Sequence, residues 1–234
     1  MVELLESEKR RYAKLMELEG FGYEELVKLK NSKVGIVGLT GVGVSTLLSV
    51  VTSGVSFVKA VDFNSITENS LPQGTFFGKG DIGKLKTIAL KEKLVDLRLV
   101  ENISISNVEL RESNVDAILQ GLDLVIYASY NRETIKILGE YCKAKGIPFV
   151  WTIGCKNSSY LLYAPAENVM DYIEAAIQAV DPCFKCDCYY ASFVSSIAGG
   201  AAAAVTVNAL LGRATPMLRK CDANTMKVEF LRLN

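Results

Sequence analysis

The chain contains no histidine. That excludes Ser-His-Asp and Cys-His catalysis, and any His-ligated zinc or haem site. Chemistry has to rest on carboxylates, lysines, cysteines, a bound metal or the positioning of a reactive nucleotide. An excess of charge is also lacking: 26 Lys and Arg balance 26 Asp and Glu. Net charge therefore draws the chain neither to nucleic acid nor to an anionic membrane. The N-terminus lacks the apolar stretch of a secretory signal, because Glu3, Glu6, Glu8, Lys9, Arg10 and Arg11 crowd it. Six cysteines in 234 residues do not make a disulfide framework, so a reducing cytoplasm is expected. No Pro-, Ser- or Gly-rich linker and no internal repeat divides the sequence. One domain over 1–234 is expected: an N-terminal helical segment (1–32), a nucleotide-binding core (33–155) and a C-terminal substrate or dimer portion (156–234).

Half of the residues are hydrophobic and 22% are charged, an ordinary globular composition. The most informative stretch runs from Lys33 to Asp62. Lys33–Val37 reads as a short buried strand, Gly38-Leu-Thr-Gly-Val-Gly43 as a tight turn, and Val44–Val51 as an apolar helix. A second strand, Phe57–Val61, ends at Asp62. Such a βαβ unit points backbone N–H groups and a helix N-terminus at an anion, and the acid can accept ribose hydroxyls. The plainer alternative is a turn that only packs helix on sheet. Thr40 departs from the middle glycine of G-x-G-x-x-G, so a less close approach to phosphates is expected there. Gly38-x4-Gly43-Val44-Ser45 also imitates a P-loop, but Val44 stands where that motif needs its phosphate-binding lysine.

Elsewhere, apolar spacing predicts an amphipathic helix over 3–18, broken by Gly20 and Gly22, and a short helix over Glu24–Leu29. Residues 64–80 lack periodicity, and long loops of this kind are often functional. A helix is expected from near Asp81 towards Leu97, with Lys84 and Lys86 in its first turns. Cations sit poorly at that end of a helix, so these lysines are either plain solvated surface or face a polyphosphate. Strands over Ile103–Val108, Leu122–Ala128 and Phe149–Thr152 alternate with helices over Glu112–Gln120 and Glu133–Lys145. The alternation predicts an α/β fold, a Rossmann-like doubly wound, mostly parallel sheet. Its ligand crevice should gather Gly38–Gly43, Asp62 and Ser129–Asn131. Ala191–Gly212 carries no charge for 22 residues. That is long enough to span a bilayer, but its Ala, Gly, Ser and Thr content and Asn208 favour a helix buried against other helices. Cys183, Cys186, Cys188 and Cys221 could together supply zinc with four thiolates, although a single C-x-x-C is a weak signal.

In order, Arg11-Tyr-Ala-Lys14, Gly20-Phe-Gly22, the turn at Gly38–Gly43, Val61-Asp-Phe63, Asp81-Ile-Gly-Lys-Leu-Lys86, Ala144–Pro148, Pro182-Cys-Phe-Lys-Cys186 and the late Ala/Gly-rich helix give a pattern that covers nearly the whole chain. It resembles the ThiF/MoeB/HesA family, prokaryotic relatives of ubiquitin-activating E1 enzymes. The resemblance implies ATP as co-substrate and adenylation of a carboxylate, usually the C-terminal glycine of a ubiquitin-like carrier. It implies that Gly41 and its neighbours cradle phosphates, that Asp62 binds ribose and that Lys86 contacts phosphates. It also implies a homodimer in which Lys14, in place of the family's arginine, reaches the partner subunit's ATP.

The sequence departs from that pattern at several points. Tyr130 replaces the aspartate that holds Mg²⁺, which puts a metal there in doubt; Asn64 replaces a second aspartate. Ser70 and Gln73 replace an Asn and an Arg. The cysteine-bearing crossover loop is nearly absent. The site residues expected are thus Lys86, Lys14 and Gln73 for catalysis, and Gly38, Thr40, Gly41, Gly43, Asp62, Asn64, Ser70, Lys86, Tyr130 and Asn131 for the nucleotide. These departures point to a small-molecule carboxylate. The example considered is guanylylpyridinol in the biosynthesis of the iron-guanylylpyridinol cofactor, as acted on by HcgE-type relatives. A non-catalytic E1-like partner subunit and a dinucleotide-dependent oxidoreductase are the competing expectations.

Overall fold

The short apolar runs become parallel strands, buried on both faces inside the sheet and only partly buried at its edge, over Ile103–Asn107. In the computed structural model, which describes residues 2–96, 103–185 and 189–232, these are β1 (Lys33–Val37), β2 (Phe57–Asp62), β3 (Ile103–Asn107), β4 (Leu124–Tyr127) and β5 (Phe149–Cys155). They pair in parallel in the order β3-β2-β1-β4-β5. The order reverses beside β1, between β2 and β4. The doubly wound expectation holds, and β5 runs three residues beyond the predicted Thr152.

Past β5 the sheet continues with strands that the sequence reading did not assign. β6 (Ser158–Ala164), β7 (Met217–Asp222) and β8 (Val228–Leu231) pair antiparallel, so all eight strands form one sheet. Lys156 turns the β5–β6 connection with φ of 55°, in the left-handed region that side chains seldom adopt. β6 is buried on both faces at six of its seven positions, so its Tyr-Leu-Leu-Tyr run shows no period of two.

Helices cover both faces. On one, α5 (Val115–Leu119), α6 (Arg132–Lys145) and α7 (Val169–Ala179) pack in one core with Phe149, Trp151, Ile153 and Leu162. On the other, α2 (Tyr23–Lys30), α3 (Gly41–Thr52), α4 (Lys86–Asp96) and α9 (Ser192–Leu210) cover Val34, Ile36, Val58 and Leu161. The uncharged helix α9 is long and apolar enough to cross a membrane by length and composition. Its Ala198, Gly199, Ala202 and Ala203 are buried against the neighbouring core. A Cβ on Gly199 would stand 2.4 Å from Ser45 Oγ, so α3 and α9 approach backbone to backbone.

Two helix predictions are corrected. The predicted helix over 3–18 shrinks to α1 (Glu6–Arg11). Glu8 caps its start by accepting from Leu5 N–H at 2.7 Å, and Lys9, Arg10 and Arg11 fill its last turn, where cations are favoured. Charge thus makes six residues a complete helix, and Tyr12, Leu15 and Met16 reach the core through successive turns. The helix expected from Asp81 starts at Lys86 instead. Asp81 turns back to accept from Gly78 N–H at 2.8 Å, and Gly83 takes a φ of 85°, so Lys84 stands before the helix.

Candidate functional site

The reversal beside β1 opens a crevice at the carboxyl ends of β1, β2 and β4. Its floor is the glycine turn. Gly38 has a φ of 94°, and a Cβ there would meet the Ala128 carbonyl oxygen at 2.8 Å. A Cβ on Gly43 would lie 1.9 Å from the Gly38 carbonyl oxygen. Thr40 needs no glycine, because it caps α3 with φ of −70°. Its Oγ1 accepts from Gly43 N–H at 3.2 Å and donates to the Ala128 carbonyl at 3.0 Å. The departure from G-x-G-x-x-G is therefore a cap that ties the start of α3 to the end of β4.

Asp62 ends β2 and is buried. Its Oδ2 accepts from Leu39 N–H at 2.6 Å, and its Oδ1 accepts from Asn64 N–H at 2.8 Å and from Asn64 Nδ2 at 3.2 Å. Lys86 Nζ stands 3.8 Å from Oδ2. The carboxylate thus fixes the turn through backbone donors, accepts one side-chain hydrogen bond from Asn64 Nδ2 and faces the Lys86 ammonium at ion-pair distance. Lys86 is the first residue of α4, and its own N–H donates to the Asn64 carbonyl at 3.0 Å.

Two adjoining cavities, of about 210 and 240 Å³, share Thr40 and Lys86 in their walls. The first is lined by Gly38, Asp62, Asn64, Ser129 and Asn131, with Val108, Leu110 and Thr134. Asn131 caps α6 by accepting from Thr134 N–H at 2.9 Å, and its own N–H donates to Tyr127 Oη at 2.8 Å. Burial pushes the Tyr127 phenol up to about 12, so it stays neutral and holds that turn. The second cavity is lined by Gly41, Ser70, Gln73, Phe76 and Phe77 on one side and by Ser192, Ser195 and Ser196 on the other. Ser70 belongs to a 3₁₀ turn over Glu68–Gln73, where its Oγ accepts from Thr67 N–H at 3.2 Å.

The structure therefore brings together Gly38, Thr40, Gly41, Asp62, Asn64, Ser70, Gln73, Lys86 and Asn131. Gly43 lies one turn behind, inside α3. Lys14 is exposed and lines neither cavity. Tyr130 is corrected: it is partly buried against the apolar core and against Tyr190 and Val194, not in the lining of either cavity. A bulky ring finds more apolar area there than in a polar crevice.

The four-thiolate zinc set is also corrected. Cys183 packs with Trp151 and Ile153 on the α6–α7 face. Cys221 pairs in register with Ser159, one position out of phase with Leu162 and Leu218 of that face. Alternation puts Cys221 on the opposite side of the sheet. Cys186 and Cys188 lie outside the described residues. Among the described residues no three His, Cys, Asp or Glu side chains come together as a metal site.

Sequence reasoning missed Ser192, Ser195 and Ser196. The signal was present, since three hydroxyls at i, i+3 and i+4 share one face at the head of an uncharged helix.

Comparison with known proteins shows the fold and the family. The chain is 26% identical over 148 residues to the probable adenylyltransferase/sulfurtransferase MoeZ of Mycobacterium tuberculosis, covering 63% of this chain and 38% of that protein. It therefore spans well under half of that relative. Molybdopterin-synthase adenylyltransferase of Escherichia coli is 25% identical over 186 residues, 80% of this chain and 70% of that protein. Among solved structures, E. coli MccB with ATP superimposes with a TM-score of 0.78 at 17% identity, over 96% of this chain and 72% of that one. MccB with AMPCPP and selenomethionine MccA gives 0.79 at 16% identity, over 96% and 71%; at such identity the likeness is one of fold. The model of the ThiF family matches residues 12–234. The chain belongs to the ThiF family.

Proposed function

We propose that this protein is an ATP-dependent adenylyltransferase that converts a carboxylate into an acyl adenylate with release of pyrophosphate. The observation that carries this reading is the pair of adjoining cavities with Lys86 in their common wall. Adenosine fits the one that holds Asp62. A ribose hydroxyl there takes the place of the Asn64 Nδ2 donor or of the Lys86 ion pair on the carboxylate, because the backbone donors are fixed by the turn. The phosphates fit the other, where Lys86, the Thr40-capped start of α3 and the Ser70 hydroxyl meet them.

The reaction asks little acid–base work of the protein, which suits a chain without histidine. A carboxylate oxygen attacks the α-phosphorus, an oxygen–phosphorus bond forms, and the bond to the β-phosphate oxygen breaks in line. Pyrophosphate leaves with the electron pair. Rate comes from holding the two reactants in line and from neutralising charge on the leaving group. Gln73 supplies no cation where relatives place arginine, which leaves Lys86 and helix-end N–H groups to do so. Lys14 is free to serve a neighbouring subunit's crevice in a homodimer.

Our substrate reading is a small-molecule carboxylate such as guanylylpyridinol. Seven residues, 185–191, separate α8 (Asp181–Phe184) from α9, too few to form the long cysteine-bearing crossover loop of thioester-forming relatives. The second reading is a carrier-protein C-terminus, favoured by the relative that acts as molybdopterin-synthase adenylyltransferase. Calorimetry with ATP, with and without Mg²⁺, followed by pyrophosphate release with guanylylpyridinol and with a carrier ending in glycine, tests both. ATP binding with pyrophosphate release for one carboxylate class is expected. No ATP binding would leave a non-catalytic partner subunit, and tighter binding of a nicotinamide dinucleotide would overturn the reading.

A further inference from the structure

The carbonyl of Gln73 is held from two sides. A Cβ on Gly41 would stand 1.8 Å from that oxygen, and a Cβ on Gly74 would stand 2.9 Å from Gly41 Cα. The loop over 68–74 thus lies directly on the first turn of α3, in space that any larger residue would take. From the other side, the buried hydroxyl of Ser195 in α9 donates to the same carbonyl. Three residues of the loop, Ser70, Gln73 and Gly74, line the cavity that Lys86 shares. Among the described residues no other side-chain hydrogen bond ties this segment to α9.

We propose that Ser195 is a positioning residue for the nucleotide loop: by fixing the Gln73 carbonyl against Gly41 it sets where Ser70 and Gln73 stand in the cavity. This rests on reading the crevice as an ATP site. The chain reaches Ser195 through the segment that follows α8, and α9 is locked to α3 at Gly199 and Ser45. One short contact therefore couples three elements: the loop, the phosphate-facing helix end and the head of α9. A serine is suited to the task because a single torsion places its hydroxyl beside the helix backbone, with little side-chain entropy to lose.

The test pairs Ser195→Ala with Thr46→Ala. Thr46 Oγ1 donates to the Val42 carbonyl at 2.8 Å and is buried, so its loss weakens α3 by a comparable bond without touching the loop. Amide hydrogen exchange is read at Ser70 and Gly74, whose N–H groups donate to Thr67 and Leu71, and ATP affinity by calorimetry. S195A is expected to speed exchange at both amides about tenfold and to weaken ATP about tenfold, while T46A changes neither. Wild-type exchange and affinity in S195A, or equal effects in T46A, would overturn the proposal. If the wild type binds no ATP but S195A still speeds exchange, the latch stands as a structural contact. The ATP reading, and the role assigned here, then both fall.

Discussion

Lys86 Nζ stands 3.8 Å from Asp62 Oδ2, with 12% and 4% of the two side chains exposed. The ammonium is thus held in the wall between two cavities by a carboxylate that already serves the glycine turn. Replacing it by methionine keeps most of the volume and removes the charge. Lys86→Met is expected to weaken ATP by about ten- to a hundredfold, the worth of one charge-assisted contact. Calorimetry checks this, and an unchanged affinity would remove Lys86 from the phosphate site.

Asp62→Asn tests the other partner. The carboxylate accepts three N–H groups from Leu39 and Asn64, whereas an amide must turn its NH₂ towards one of those donors. A buried donor left unmatched costs about 1–3 kcal/mol. A fall in melting temperature of several degrees is expected for a chain of this size, together with weaker ATP binding. A variant as stable as the wild type would show that the turn does not depend on this acid.

Gly43→Ala sets two effects against each other. Alanine favours a helix over glycine by about 1 kcal/mol. Its Cβ, however, would lie 1.9 Å from the Gly38 carbonyl oxygen, and backbone cannot retreat as a flexible side chain does. Clash should win, with net destabilisation of about 2 kcal/mol in urea melts. A stabilised variant would contradict the turn geometry.

The segment before α4 carries a prediction about acid. The Gly78 N–H, with Lys93 and Lys84 beside it, holds the Asp81 carboxyl below the usual carboxylate range against a smaller cost of desolvation. A carboxyl lowered in the folded state stabilises above its unfolded value of about 3.9 and loses that contribution as pH falls through the folded value. Protection from exchange over residues 64–84, taken relative to the intrinsic amide rate at each pH, should therefore fall below about pH 4. Asp81→Asn should lose the part of that pH dependence that Asp81 supplies, which hydrogen exchange at pH 6 and pH 3 resolves.

Gly199→Val probes the α3–α9 seam. Its side chain would start 2.4 Å from Ser45 Oγ and 2.9 Å from the Ser45 backbone carbon. Overpacking of this kind costs about 1–3 kcal/mol, and Ser45 moves with the cavity it lines. Lower stability and weaker ATP binding together are expected. Unchanged stability would mean that the two helices do not meet there.

The parallel half of the fold was legible because its signals are local. Glycines at Gly38 and Gly43, the acid at Asp62 and alternating apolar runs each follow from backbone requirements within a few residues. The antiparallel half was not. β6 is apolar on both faces and offers no period, and β7 and β8 are short strands whose identity depends on pairing with it. The site showed the same division. Thr40, Asp62 and Lys86 were read from the βαβ unit and the family pattern. Ser195 acts on a carbonyl 122 residues away in sequence, and only the fold brings the two together. Tyr130 was placed by its neighbours in sequence, yet its ring follows the core.

Thr40 and Lys86 are common to both cavities, so on the ATP reading the two halves of the ligand are not independent guests. A sugar that draws on Asp62 releases the ammonium next door, and a phosphate that takes the ammonium frees the acid for the sugar. Adenosine or pyrophosphate offered separately each meets half of a shared balance. The intact nucleotide meets all of it, which makes the party wall a means of recognising connectedness as well as composition.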